Sequence, residues 1–415
     1  MLYRSPLESS WEGTGWRERI RKKQIRRVKD LFVKHPHRPK LSRAPSRAPV
    51  VIAFFLSPMI AELLSGSTPL MSFLNPLNLF LLAGLYGSGT ILVREATRRW
   101  GRGWPSVLLL GAAYGILEEG VAVKSFFDPN WPDLGLLGTY GRWAGVNWVW
   151  AEWLTIYHAI YSIAIPILLV ELMFPSLRHS AYLGRKGLMF FSALISFVVA
   201  FCHFYLNPYP VSIWQMVVCF LAMALLTYCA KRFRGPKLGG AGSRVRSRWL
   251  WLLGASGGFS YFFIVFGLMP SVGAPVLLTI ASGIALTGLI AKILIELSKL
   301  GLGELNALGL ASGFLSLLIF LDPVVEFSRP TPEDFRGQTA VGVAFTLLLI
   351  LLGHRISRRE SKLRQLSSGG GPLKSLRIQL AFKRWRFLQV KQNAALLLTP
   401  RVFPSMHKGM SSKLS

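Results

Sequence analysis

Residues 114–131 read YGILEEGVAVKSFFDPNW, and Glu118 and Glu119 stand side by side at the end of a run that is otherwise apolar from Val107. An ionisable group within a bilayer costs at least about 2.5–3.5 kcal/mol on insertion scales, so it turns toward the interior of a helix bundle and marks a site. Consecutive residues lie about 100° apart on an α-helix, so at least one of the two carboxyls points inward. Two carboxyls this close in a low dielectric do not both ionise readily, which leaves one free to give or take a proton.

Histidines on the next two apolar segments fit the same chemistry. Segment 145–172 carries Glu152, Thr155, His158 and Ser162 at steps of 3, 3 and 4, a polar stripe on an otherwise aromatic and aliphatic helix, with Pro166 set to kink it one turn on. Segment 187–206 and the residue after it carry Ser192, Ser196, His203 and Asn207 at steps of 4, 7 and 4, which stacks His203 and Asn207 on one face. Asn207 precedes Pro208 and also suits a helix terminus. Glu62, in SPMIAELLSGSTP, adds a carboxyl at similar depth. Glu62, Glu152, Thr155, Ser162 and Ser196 are expected to line the cavity around the carboxyl pair.

The elements that position these groups are membrane spans. The chain has 415 residues, 52% of them hydrophobic and 16% charged, with a mean hydropathy of +0.41, too apolar for an ordinary soluble protein. Ten apolar segments of about 20 residues can be drawn, near 49–65, 76–93, 104–123, 145–172, 187–206, 210–230, 249–268, 274–298, 303–321 and 338–354. The net charge of +29 does not describe a nucleic-acid surface, because 43 of the 48 Lys and Arg fall in the two ends and in alternate loops. The opposite loops hold only Lys124, Arg142, Arg329 and Arg336, and Lys292 lies within a span. By the positive-inside rule this predicts an all-α, polytopic bundle of ten spans with both termini cytoplasmic.

The chain divides into a basic arm (1–48), a polar-cored membrane region (49–230), a basic loop (231–248), a more apolar bundle (249–354) and a basic tail (355–415). Within the arm, 16–36 has helical apolar spacing suited to an anionic leaflet, and also suits a solvated arm that sets topology. The tail, with SSGGG, reads as loosely ordered. The outer loop 124–150 is rich in Trp, Tyr, Pro and Gly and suits either interfacial anchoring or a lid. Lys292 and Glu296, four apart, are placed to pair. Cys202, Cys219 and Cys229 read as core residues rather than a disulfide framework. No phosphate-cradling glycine loop occurs, so no nucleotide site is expected.

The constellation Glu-Glu, then His, then His-x-x-x-Asn over three consecutive spans resembles the CAAX protease and bacteriocin-processing family of intramembrane glutamate endopeptidases, over roughly residues 104–230. Glu118 and Glu119 match its paired glutamates, His158 its second-motif histidine, and His203 and Asn207 its third motif. Val123 stands where the family has an arginine and Leu154 where it has an aromatic residue. The resemblance implies peptide-bond hydrolysis by a glutamate-activated water, with His158 as the partner of the base and His203 and Asn207 as oxyanion donors. The charge pattern sets this site near the outer face. The expected substrate is therefore a membrane protein or peptide presented from that side or within the bilayer, rather than a prenylated cytosolic tail.

The expected setting is multi-pass in the cell membrane, among lipids and without nucleic acid. No cofactor is required, with zinc held by Glu118 or Glu119, His158 and His203 as the alternative. The same carboxyls and histidines also suit a proton- or ion-coupled carrier, or an inactive scaffold whose polar stripes hold spans together.

Overall fold

A computed structural model describes residues 47–233, 245–328 and 335–368. The helix expected at 16–36, the tail beyond 368 and most of the loop 231–248 lie outside the described residues. Among those described, nine helices are long and apolar enough to cross a membrane, and a tenth, α1, is shorter at Ala48–Leu63. The nine are α2 (Pro76–Arg99), α3 (Trp104–Ala122), α4 (Trp148–Met173), α5 (Arg185–Leu206), α6 (Ile213–Arg232), α7 (Ser247–Ser271), α8 (Val276–Lys299), α9 (Glu304–Ser328) and α10 (Gln338–Ser368). Each overlaps one of the ten apolar segments. The protein is therefore an all-α, multi-pass membrane bundle.

The chain falls into two compact units, one ending at Phe345 and one beginning at Thr346, so the division lies within α10 rather than at the basic loop. In the first unit α2, α3 and α4 are largely buried, whereas α5, α6 and α8 present most of their surface outward. The second unit, in its described part, is the remainder of α10, which ends in the basic stretch around Arg355, Arg358 and Arg359.

Several spans change winding partway along. A π-turn occupies Met59–Leu63 in α1, Ala83–Gly87 in α2, Ile116–Ala122 in α3, His158–Ala164 in α4 and Cys202–Leu206 in α5. Such turns are rare and concentrate at functional positions. Pro166 follows the α4 π-turn directly, at the start of the resumed α-helix, where its missing N–H is cheapest.

The α3–α4 contact is close because glycine permits it. A Cβ on Gly111 would lie 2.8 Å from Ala159 Cα, and one on Gly115 would lie 3.0 Å from His158 Cβ. The GAAYG spacing is the small-xxx-small pattern that lets membrane helices approach backbone to backbone.

At the end of the bundle that carries the arginines, the carboxylates are paired. Arg94 is buried, with its Nε 3.2 Å from Glu171 Oε1 and its Nη1 3.4 Å from Glu95 Oε1. Arg98 donates to both Glu171 oxygens, and Arg99 Nη2 lies 3.0 Å from Glu95 Oε2. Arg94 also donates to the carbonyls of Leu177, Arg178 and Ser180, and its guanidinium lies 3.3 Å above the Tyr182 ring. Arg94 and Arg99, which read as loop cations, thus fasten the 174–184 connection to α2, and Arg98 fastens the end of α4.

Two smaller expectations change. Glu296 pairs with Lys299, at 2.6 Å, rather than with Lys292, because α8 runs on to Lys299 and brings that ammonium within one turn. The three cysteines are free, with Cys202 and Cys219 buried. Replacing Gly111 by Leu forces backbone against side chain along the α3–α4 seam. The expected outcome is a loss of at least about 1–3 kcal/mol, seen as a lower thermal midpoint of the detergent-solubilised protein, while Gly267→Leu, in open space, leaves the midpoint unchanged.

Candidate functional site

The π-turns bring Glu118, Glu119 and His158 into one buried cluster. His158 Nε2 lies 2.8 Å from Glu119 Oε1, and His158 Nδ1 lies 3.3 Å from Glu118 Oε2 and 2.8 Å from the Ser162 hydroxyl. All three residues are under a tenth exposed. On an α-helix one of two adjacent carboxyls would turn away; on the wider winding of Ile116–Ala122 both face the imidazole.

The two glutamates are not equivalent. Glu119 has both oxygens engaged, because Oε2 accepts from the Ser125 hydroxyl, which itself accepts from Trp150 Nε1 at 3.0 Å. Glu118 Oε2 is buried with no hydrogen-bond partner, and so is the Tyr114 hydroxyl one helical turn earlier. The rings of Tyr86, Tyr114 and Tyr157 surround the imidazole, with centroids 6.0, 6.2 and 5.3 Å away. Glu62 belongs to the same neighbourhood: it accepts from the Tyr86 hydroxyl and, at 2.6 Å, from Thr68.

The last carbonyls of α1 and α3, and that of Ser162 four residues before Pro166, have no helical donor, and in lipid each must find another. Side chains from neighbouring spans supply it. The Ser57 and Thr90 hydroxyls reach the Ser162 carbonyl at 2.7 and 2.9 Å, and the Tyr157 hydroxyl reaches Ala61 O at 2.8 Å. His203 and Asn207 do the same for α3. His203 Nδ1 donates to Val121 O at 2.7 Å, and Asn207 Nδ2 donates to Val123 O at 2.7 Å and to Asp128 Oδ2 at 3.3 Å.

His203 and Asn207 therefore do not join the Glu–His158 cluster. Both amide hydrogens of Asn207 are spent, and a neutral His203 that donates through Nδ1 keeps only an acceptor at Nε2. Among the described residues the group able to hold a metal ion is Glu118, Glu119 and His158, whose ligand atoms all lie within 4.8 Å of one another; His203 is not part of it.

The polar stripe on α4 divides. Each three-residue step falls about 60° short of a full turn, so by His158 the stripe has rotated away from Glu152. His158 and Ser162 face the carboxyl pair, while Glu152 and Thr155 line a separate cavity of about 340 Å³ with Ile116, Phe126, Trp214 and Ile284. There Glu152 Oε1 accepts from Tyr261 at 3.2 Å and Oε2 has no partner. Ser196 lines no cavity: it is exposed on the outer face of α5, whose inward face is set by Phe191 and Val198.

Beyond α3 the chain turns back over the cluster. Lys124 adopts φ 61°, is buried, and donates to Tyr209 O at 3.2 Å; burial of its ammonium pulls its pKa down, with Asp128 opposing the shift. Ser125, Phe126 and Phe127 are buried, and a short hairpin, β1 (Arg142–Trp143) paired with β2 (Val146–Asn147), leads into α4.

The sequence reading did not single out Tyr114, Ser125 or Tyr86. Tyr114 and Glu118 are four apart, which was a visible signal; Ser125 and Tyr86 reach the site only through the fold. Asp322, buried and hydrogen-bonded to Gln338 at 2.6 Å, was missed because the apolar window of α9 stops at residue 321, whereas the helix continues through Pro323 to Ser328; Gln338, at the very start of its segment, carries no charge to mark it.

This chain belongs to an uncharacterized membrane protein family, whose model matches residues 51–376 and so takes in the spans from α1 onward. No curated protein and no solved structure matches it.

Replacing His158 by Leu removes the only cation-capable group in the cluster and leaves two carboxyls facing each other. The expected cost is about 3–5 kcal/mol, read as a lower thermal midpoint in detergent. Most of that loss is recovered in the triple variant His158→Leu, Glu118→Gln, Glu119→Gln, in which the stranded charges are gone.

Proposed function

We propose that the protein is an intramembrane endopeptidase that hydrolyses a peptide bond of a membrane-associated substrate. The observation that carries the reading is the buried imidazole held between two carboxyls of unequal engagement. Glu119, bonded to both His158 and Ser125, orients the ring, and Glu118, with its free oxygen, is the base. Water attacks the scissile carbonyl carbon and its proton passes to Glu118 Oε2. The oxyanion accepts from the unpartnered Tyr114 hydroxyl, in the place that the family resemblance would give to His203 and Asn207. Glu118 then returns the proton to the leaving nitrogen as the carbon–nitrogen bond breaks.

The basic segments support an orientation with both termini in the cytoplasm and the Lys124 end of the bundle outside.

A metal-assisted version of the same hydrolysis draws on a specific observation, the convergence of Glu118, Glu119 and His158 ligand atoms within 4.8 Å. Three protein ligands and an open position are the pattern of a catalytic zinc.

The test is mass-spectrometric mapping of new protein termini in membranes of cells carrying the protein, set against the Glu118→Gln, Glu119→Gln variant at matched abundance. Termini that depend on the carboxyls are expected, and with a substrate so named, Tyr114→Phe lowers its cleavage by about 10²–10³-fold. Inhibition by chelators restored by zinc selects the metal-assisted version. Identical termini in the two membranes overturn the proposal.

A further inference from the structure

A second polar cluster lies between α9 and α10, outside the Glu–His158 site. Asp322 and Gln338 are fully buried, and Gln338 Nε2 donates to Asp322 Oδ1 at 2.6 Å and to the carbonyl of Leu63 in α1. With both amide hydrogens used, the carboxyl and amide oxygens that remain are acceptors, and the Thr339 hydroxyl can donate one hydrogen among them. Asp322 Oδ2, Gln338 Oε1 and the Thr339 hydroxyl oxygen are all buried without a hydrogen-bond partner. Pro323, directly after Asp322, removes the N–H that would otherwise serve the carbonyl of Ile319, adding an oxygen one turn back on the same face.

Interhelical adhesion does not account for this arrangement, because a buried polar group left unpaired costs more than one hydrogen bond returns. A bridging water would satisfy lone pairs and leave the carboxylate charge uncompensated. Among the described residues no cation pairs with Asp322, and the charged group that acts on it is another carboxylate, Glu326. Glu326 is itself engaged, accepting from the backbone N–H groups of Gly337 and Thr339 at the start of α10.

We propose that Asp322, Gln338 and Thr339 form a binding site for a small monovalent cation, a sodium ion or a proton, at the junction of α9 and α10. Oxygen donors of this kind suit a hard cation, and either occupant supplies the one positive charge that the cluster lacks. Gln338 ties the site to the α1 π-turn at Leu63, next to Glu62, so occupancy bears on the spacing of α1 against α10. The site stands independently of any hydrolytic activity.

The test is the thermal midpoint of the purified full-length protein in detergent. Sodium is first exchanged for N-methylglucamine at fixed pH, and pH is then varied at fixed sodium. Titratable groups near the site besides Asp322 are Glu326, Arg336 and Glu62, so each titration is repeated on Asp322→Asn, which keeps the acceptor for Gln338 and removes the charge. A rise of at least about 2 °C with sodium, absent in Asp322→Asn and reduced in Thr339→Val, identifies a sodium site. A rise on acidification with no sodium response, again absent in Asp322→Asn, identifies a proton site. If Asp322→Asn does not fold, the weakened response of Thr339→Val carries the test. A midpoint indifferent to both cations, or variants that respond as the unaltered protein does, overturns the proposal. Ser196→Ala, exposed on α5 and away from both clusters, is expected to respond to sodium and to pH like the unaltered protein.

Discussion

A carbonyl released inside a bilayer has no water to turn to, and that constraint organises the first half of this molecule. The C-terminal turns of α1 and α3, and Ser162 four residues before Pro166 in α4, present such carbonyls, and a side chain of a neighbouring span answers each: Tyr157 for Ala61, Ser57 and Thr90 for Ser162, His203 for Val121. The bonds are reciprocal constraints. The π-turns could not persist without those donors, and the donors would be buried without partners if the spans were regular. The wider winding thus stabilised turns Glu118 and Glu119 together toward His158. The polar groups that look most like chemistry are held in place by polar groups that only complete the backbone.

Buried carboxyls in this bundle are treated in three different ways. Glu95 and Glu171 sit against Arg94, Arg98 and Arg99, permanent cations that neutralise them and bind the 174–184 connection. Glu118 and Glu119 share a histidine, whose charge is conditional. Asp322 has an amide. A permanent ion pair is a fastener, because breaking it strands a charge at a cost of about 3–5 kcal/mol. A carboxyl compensated by a group that can lose its charge, or by a neutral one, can change state at smaller cost. That gradation separates the structural end of the bundle from its reactive interior.

The architecture was legible in the sequence because hydropathy over a 20-residue window is a strong signal, and ten segments were drawn where ten helices lie. The adjacency of Glu118, Glu119 and His158 was legible too, since ionisable groups on successive spans have little choice but to converge. The roles of His203 and Asn207 were not. Helical spacing shows that two residues share a face, but not whether that face meets a side chain or a backbone carbonyl, and π-turns carry no compositional mark. Ser196 failed for a related reason: on a span at the periphery a polar stripe can point outward. Asp322 was hidden by a boundary, because a proline after an acidic residue reads as the end of a helix although the helix runs on for another turn.

The polar cluster and the apolar flank of the bundle meet at the loop after α3. The Glu–His158 cluster is covered at one end by the loop that carries Ser125, whose hydroxyl ties Glu119 to Trp150. The separate 340 Å³ cavity is bounded by Ile116 of the α3 π-turn and by Phe126, the neighbour of Ser125. Its other walls, Trp214 and Val218 of α6 and Ile284 of α8, are exposed on the flank of the bundle, where hydrocarbon and not water is the surrounding medium. Displacing Phe126 would disturb its neighbour Ser125 and with it the second bond of Glu119, so the packing of the loop and the engagement of that carboxyl are linked.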